Sequence, residues 1–146
     1  MNDITIRSAR PEDVRPALAL ALWVFMIYSG PIYSPEAIAH FEKSCADADA
    51  YMAEHMFVAF DGANMIGMAC TRGEGHISKL YVDPAYHRQG IATALMDRLI
   101  AAMGVSRVEL GSSPHAVPFY LKYGFVPTDK EQHKHGATWT PMAMDI

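Results

Sequence analysis

The chain has 146 residues, the usual length of one domain, and we expect a single domain covering residues 1–146. Hydrophobic residues make up 51% of the sequence and charged residues 19%, a composition that is typical of globular proteins and excludes intrinsic disorder. The net charge of −4 argues against broad electrostatic binding to nucleic acid or to an anionic membrane, so we expect neither as a partner.

The first half of the chain predicts a strand, two helices and a hairpin. These elements are a strand over 4–7, a helix from Pro11 to about Tyr28, a second helix from Pro35 whose apolar side runs to Met52, and hairpin strands over 56–60 and 65–71. Pro11 suits the first helical position because the N–H that proline lacks has no partner there. Ser34 is a suitable N-cap for the second helix, and residues 61–64 have the composition of a tight turn.

The second half alternates strands and helices. Its predicted elements are a strand over 76–82, a helix over 91–103, a strand over 107–110, a helix over 114–123, a strand over 125–126 and a last strand over 138–144. Gly104 terminates the helix over 91–103. Pro141 cannot donate to a ladder, so we expect the last strand at a sheet edge or at a bulge.

This element order predicts an α/β fold. The hairpin strands pair antiparallel, and the two strand–helix–strand passages predict neighbouring strands joined by crossovers, with at least one parallel pair. We expect about seven strands in a mixed parallel and antiparallel sheet, with about four helices on both faces.

Cysteine usage and apolar runs bear on location. Cys45 and Cys70 do not make a disulfide framework, which favours a cytoplasmic protein with reduced thiols. The start of the chain lacks the pattern of a signal peptide. The longest apolar run, 17–28, is shorter than the roughly 20 residues of a membrane span, so we expect a helix buried on most sides that includes Trp23.

The clearest chemical signal lies where the strand over 76–82 leads into the helix over 91–103. Gly90 at the helix start lets an anion approach the backbone closely, and Arg88 adds a positive charge. The unpaired N–H groups of the first turn and the helix dipole favour negative charge there, which predicts a phosphate or pyrophosphate site. No Gly-Lys-Ser/Thr follows and a single glycine is present, which excludes the P-loop and Rossmann motifs.

Two segments resemble motifs of the GNAT family of N-acetyltransferases. Residues 80–84 followed by 87–92 resemble its acetyl-CoA-binding motif, whose pattern is Gln/Arg-x-x-Gly-x-Gly/Ala. Residues 116–125 resemble its later helix and the entry to its final hairpin, and the predicted element order agrees. The resemblance therefore covers essentially the whole chain.

Two residues depart from the family pattern. His87 stands where the family usually has Gln or Arg, although its backbone N–H can still bind phosphate. Gly111 stands where many relatives have Asn, and Ser112 or Ser113 is a candidate to replace that polar contact. Ser113 also fits a plain N-cap role before Pro114, which we prefer.

The resemblance implies that the chain uses acetyl-CoA as a co-substrate, without a metal, and acetylates a primary amine of a small molecule, peptide or protein by direct attack on the thioester. It implies that pantetheine lies beside the strand over 76–82 and the pyrophosphate on the amides of 88–93. The expected cofactor-binding residues are Leu80, Tyr81, Val82, His87, Arg88, Gln89, Gly90, Ile91, Ala92, Thr93 and Ser113.

The resemblance also implies catalytic and acceptor-binding residues. Tyr120 matches the tyrosine that protonates the departing thiolate, whereas its helical periodicity alone favours core packing. Glu74 is a candidate base for the amine, Glu109 is a second, and a water chain is the alternative. Tyr28 and Tyr33 are the candidates for acceptor binding.

Several alternatives stay open at this stage. The same motifs fit transfer of a longer acyl group from another CoA thioester, and they fit a non-catalytic acyl-CoA sensor. The sequence is compatible with a monomer or a homodimer. His133 and His135 form a poor zinc site because no cysteine or carboxylate cage accompanies them, so we expect solvated loop histidines.

Overall fold

The computed structural model describes residues 3–146. Its helices are α1 (Pro11–Tyr28), α2 (Pro35–Ala46), α3 (Ala48–Tyr51), α4 (Ile91–Met103) and α5 (Val117–Tyr123). Its strands are β1 (Ile4–Ser8), β2 (Met56–Asp61), β3 (Asn64–Thr71), β4 (Ile77–Val82), β5 (Arg107–Ser112), β6 (Val126–Pro127), β7 (Gln132–Lys134) and β8 (Ala137–Asp145). The α/β fold class predicted from the sequence is confirmed.

Two antiparallel sheets meet side by side at one point. The first has the order β1-β2-β3-β4, and the second has the order β5-β8-β6 with β7 paired to β8. A parallel bridge between His76 and Glu109 connects them, and the Glu109 N–H donates to the Gly75 carbonyl at 2.8 Å. Beyond this bridge β4 and β5 share no ladder in the described part of the chain, and a cleft opens between them.

Helices cover both faces of the first sheet. Phe57 and Ala59 of β2 pack in one core with Leu95 of α4, whereas Met56 and Val58 pack in a second core with α1. Successive strand residues point to opposite faces, so the two cores lie on opposite sides of the sheet. Leu95 is fully buried, and each leucine buried in this way contributes about 1.5–3 kcal/mol.

The sheet connections differ from the sequence-based expectation in two respects. The crossover through α4 does bring β4 and β5 into parallel contact, but β8 lies between β5 and β6, so the second crossover does not join neighbours. The prediction of an edge position for Pro141 is wrong because β8 is central. Proline is tolerated there because β6 is short: it pairs only with Met142 and Ala143. No residue of β6 is opposite Pro141, so no hydrogen bond of that ladder needs the N–H that proline lacks.

One helix boundary and one short strand also differ from the prediction. The predicted second helix ends at Ala46, and a separate α3 follows, because the Asp47 backbone leaves the helical region and its side chain accepts from the Ala50 N–H. The three-residue β7 was not predicted; its polar sequence carries no strand pattern, and it forms by pairing with β8.

The expectation that Trp23 is buried is wrong, because its side chain is 50% exposed. The buried residues of α1 recur at helical spacing on one face, through Leu18, Ala21 and Phe25, and Trp23 lies off that face. Met26 is exposed as well. Among residues 3–146, no helix combines the length and apolarity that crossing a membrane requires.

Candidate active site

The cleft between β4 and β5 has a volume of about 1270 Å³. All of β4 lines one side, and Leu110 and Gly111 of β5 line the other. β4 pairs with β3 along one edge only, so the N–H and C=O groups of its opposite edge face the opening between the sheets. An extended ligand can pair with such an edge as an added strand would.

The loop before α4 lines this cleft and has a backbone geometry that suits anions. Arg88 and Gly90 both have left-handed backbones, with φ of 64° and 78°, a conformation that turns successive N–H groups toward one side. Gly90 is the N-cap of α4 and provides no capping side chain, and the first turn holds no acidic residue. The N–H groups of the first turn therefore keep their capacity for a ligand, because the first intrahelical bond comes from Ala94.

Open space surrounds the N-terminus of α4. A Cβ built on Gly90 would meet no heavy atom within 4 Å, so an anion can approach this backbone. Arg88 is a non-glycine residue in a conformation that costs roughly 1–2 kcal/mol, and such strained backbones cluster at ligand sites.

An aromatic stack of Tyr28, His87 and His115 joins the two sides of the cleft. The Tyr28 ring lies 4.1 Å from the His115 ring and 5.8 Å from the His87 ring, with nearly parallel planes. His87 Nε2 donates to the Val82 carbonyl at 2.9 Å, which leaves Nδ1 to accept from the Tyr28 hydroxyl at 3.4 Å. Burial, reinforced by the neighbouring His87, lowers the pKa of His115, which favours its neutral form in the stack.

Tyr120 lines the cleft from α5. The residue is 8% exposed, and burial raises the pKa of its phenol, so the phenol is protonated at neutral pH. Its hydroxyl makes no hydrogen bond to any residue in 3–146. No fully buried side-chain N or O atom among these residues lacks a hydrogen-bond partner, so this hydroxyl is not fully enclosed by protein. The free hydroxyl is therefore available to a ligand in the cleft.

Most of the predicted cofactor-binding residues line the same cleft. These residues are Leu80, Tyr81, Val82, His87, Arg88, Gly90, Ile91, Ala92, Thr93 and Ser113. Tyr28 lines the cleft, and the Ser113 hydroxyl makes no capping hydrogen bond to the short turn that follows it. The Val82 carbonyl already accepts one hydrogen bond from His87, so its second lone pair is the one left for pantetheine.

Five of the candidate residues taken from the sequence do not line the cleft: Glu74, Gln89, Tyr33, Glu109 and Ser112. Glu74 is exposed in the loop before β4. The Tyr33 hydroxyl donates to the Thr138 carbonyl at 2.8 Å, and Glu109 pairs with Arg107 at 3.3 Å. The structure therefore brings neither carboxylate to the cleft.

Sequence reasoning missed two features of the cleft. Lys79 of β4 is buried at 4% exposure and lines the cleft, and its one signal in the sequence was a charge inside a mostly apolar strand. His115 was missed because nothing in its local sequence indicates the stacking partner on α1. Within residues 3–146, no group of three or more His, Cys, Asp or Glu side chains is arranged to hold a metal ion.

Solved structures share this fold. The chain matches the PaiA N-acetyltransferase of Thermoplasma acidophilum, solved in complex with coenzyme A, with a TM-score of 0.79, 19% identity and 99% coverage of both chains. It also matches YncA of Salmonella typhimurium, solved with its cofactor acetyl-CoA, with a TM-score of 0.72, 19% identity and coverage of 98% of this chain and 94% of that one.

Sequence comparison agrees with the fold. The N-acetyltransferase YafP of Escherichia coli is 28% identical over 141 residues, which cover 95% of this chain and 92% of that protein. Residues 30–146 match the acetyltransferase (GNAT) domain family. The chain belongs to the GNAT family and is an acetyltransferase of that family.

Proposed function

We propose that the chain, as one catalytic domain, transfers the acetyl group of acetyl-CoA to a primary amine by direct attack on the thioester. One observation carries this proposal: a single cleft joins the anion-binding loop at Gly90, the free edge of β4 and the unengaged hydroxyl of Tyr120. Family membership supports the acyl transfer, and the relatives solved with coenzyme A or acetyl-CoA support the choice of co-substrate.

The residues fit the parts of that co-substrate. The amides of Gly90, Ile91 and Thr93 are suited to the pyrophosphate, because helix N-terminal N–H groups and the dipole favour anions. The free edge of β4 is suited to the amides of pantetheine. Acetyl-CoA supplies an activated thioester carbonyl when it is bound.

The reaction forms a C–N bond and breaks a C–S bond. In the proposed sequence, a backbone N–H of β4 stabilises the oxyanion, an effect worth about 3–4 kcal/mol in other acyl-transfer enzymes. Tyr120 donates its phenolic proton to the departing sulfur. A free phenol has a pKa of about 10 and a thiol about 8.5, and burial raises the pKa of Tyr120 further, so C–S cleavage must drive this transfer.

The attacking amine must lose a proton. Glu74 and Glu109 do not line the cleft, so in the proposal this proton leaves through water at the cleft mouth. A protonated acceptor amine loses one proton before attack and a second as the amide forms. One of these is balanced by the proton that the thiol gains through Tyr120, which is reprotonated from the same water, and the other is released to bulk solvent.

The test is amine-dependent release of free thiol from acetyl-CoA, measured over a panel of primary amines. We expect Tyr120→Phe to lower kcat by about 100-fold, the lower end of general-acid effects, while the Kd for acetyl-CoA stays within about twofold. Tyr123→Phe is the matched control, because it removes a phenol of the same helix whose hydroxyl already donates to Asp97 at 2.6 Å.

Three outcomes would contradict parts of the proposal. Equal kcat values for Tyr120→Phe and the parent would remove Tyr120 as the acid. Binding of acetyl-CoA without thiol release for any amine would favour an acyl-CoA sensor. Faster release from a longer acyl-CoA would reassign the acyl group.

A further inference from the structure

Lys79 places a buried positive charge in β4, the strand that lines one side of the cleft. The residue lies in the middle of β4, is 4% exposed, and lines the cleft alongside Ser78 and Tyr81. Burying an ammonium group is unfavourable unless the surroundings stabilise its charge. The groups around Nζ therefore indicate what this charge is for.

Neutral groups hold the ammonium in place. Lys79 Nζ donates to Ser44 Oγ and to the Tyr51 hydroxyl, each at 2.7 Å. It lies 4.5 Å from the centroid of the Tyr51 ring and 5.1 Å from that of Phe41, within cation–π range. An ammonium group has three N–H donors, so these two hydrogen bonds leave one donor for another partner.

Residues 3–146 provide no anion for this charge. None of the ion pairs among them includes Lys79. Glu54 accepts hydrogen bonds from the Thr71 hydroxyl and the Gly73 N–H. Burial raises the pKa of Cys45 to about 11 and that of Cys70 to about 12, so these nearby thiols are uncharged at neutral pH.

We propose that Lys79 binds a carboxylate group of the acceptor, so that the acceptor is a primary amine that also carries a carboxylate. One ammonium balances the single charge of a carboxylate, and the hydroxyls of Ser78 and Tyr51, 3.1 Å apart, add polar groups beside it. Lys79 is then a specificity-determining residue of the acceptor side. This inference rests on the proposed function, since it names the substrate class of that site.

The test compares matched acceptors with acetyl-CoA held saturating. The probes are ω-amino carboxylates of increasing chain length and the corresponding ω-amino amides. Each pair has the same primary amine and differs at the other end of the chain, where a negatively charged carboxylate is replaced by a neutral amide. We expect the parent to prefer the best carboxylate over its amide by at least about tenfold in kcat/KM, the effect of one charge-assisted contact.

Substitution of Lys79 tests the assignment to this residue. Lys79→Met keeps the apolar stem without the charge, and we expect the preference to fall to about twofold or less, mainly through KM. Lys79→Arg keeps the charge and should retain a measurable preference. Lys43→Met is the matched control, because it removes an exposed lysine next to Ser44 in α2 and should leave the ratio unchanged.

The outcomes separate this inference from the proposed function. A parent that acetylates amides as fast as carboxylates, or a preference that survives in Lys79→Met, would overturn the inference while leaving the acetyl transfer in place. Thiol release with neither class of amine, from protein that binds acetyl-CoA, would overturn both.

Discussion

The glycines at the two ends of α4 allow a matched test of the phosphate site. Gly90 precedes the helix with φ of 78°, and Gly104 follows it with φ of 65°. A Cβ at either position would meet no heavy atom within 4 Å. Gly90→Ala and Gly104→Ala therefore impose the same kind of backbone strain at opposite ends of one helix.

The expected stability losses are similar. A left-handed backbone costs a non-glycine residue about 1–2 kcal/mol, with no added steric clash at either position. For a domain of this size each kcal/mol corresponds to roughly 3–5 °C in Tm. Differential scanning calorimetry should therefore give Tm values for the two variants that agree to within about 3 °C.

The expected affinities differ. Gly90 lies at the open N–H groups of the first turn and lines the cleft, whereas Gly104 is at the far end of the helix. A charge-assisted hydrogen bond is worth about 1.5–3 kcal/mol, so losing one contact to the pyrophosphate should raise the Kd for acetyl-CoA about 10–100-fold in Gly90→Ala. Gly104→Ala should stay within about twofold.

A shortened substrate distinguishes phosphate contacts from general damage. S-acetylpantetheine carries the thioester and lacks the pyrophosphate, so Gly90→Ala should leave its kcat/KM close to that of Gly104→Ala. Equal acetyl-CoA affinities in the two variants would refute the placement of the pyrophosphate at this loop.

Two further predictions concern reactivity and pH. Burial raises the pKa values of Cys45 and Cys70, so both thiols should react with iodoacetamide at least about tenfold more slowly than free cysteine near pH 8. If mass spectrometry shows that either cysteine is fully alkylated as fast as free cysteine, the prediction is contradicted. Asp13 accepts from the Arg7 guanidinium at 2.6 Å and the Arg10 N–H at 2.8 Å, which together hold its pKa below the ordinary value despite burial. Its stabilising effect is therefore full above the unfolded pKa of about 3.9 and is lost as the pH falls through the lower folded pKa. Asp13→Asn should lower Tm by about 2–5 °C at neutral pH, and the Tm difference from the parent should disappear in acid. A Tm difference that does not change with pH would contradict stabilisation by the ionised Asp13 carboxylate.

Local signals predicted most of the elements. Pro11 at the start of α1 and Gly104 at the end of α4 set helix boundaries through the backbone angles that each residue type favours. These preferences do not depend on distant parts of the chain, and both boundaries are confirmed. The separation of the sheets beyond the His76–Glu109 bridge was not predicted, because it depends on how two distant strands pack.

Features that depend on packing between distant segments were not predicted. Most residues of α1 are apolar, so the sequence predicted burial on most sides of the helix and did not predict that Trp23 is exposed. The stack of Tyr28, His87 and His115 joins residues from three distant segments. Lys79 was visible as a charge in a strand, but its burial depends on α2 and α3 packing over that face.

Calorimetric titration of the protein with acetyl-CoA, with ATP and NAD as controls, tests the central claim most directly. The account predicts saturable binding of acetyl-CoA at one site and no comparable binding of either control. A folded sample that does not bind acetyl-CoA, or that binds all three ligands alike, would contradict the assignment of this cleft.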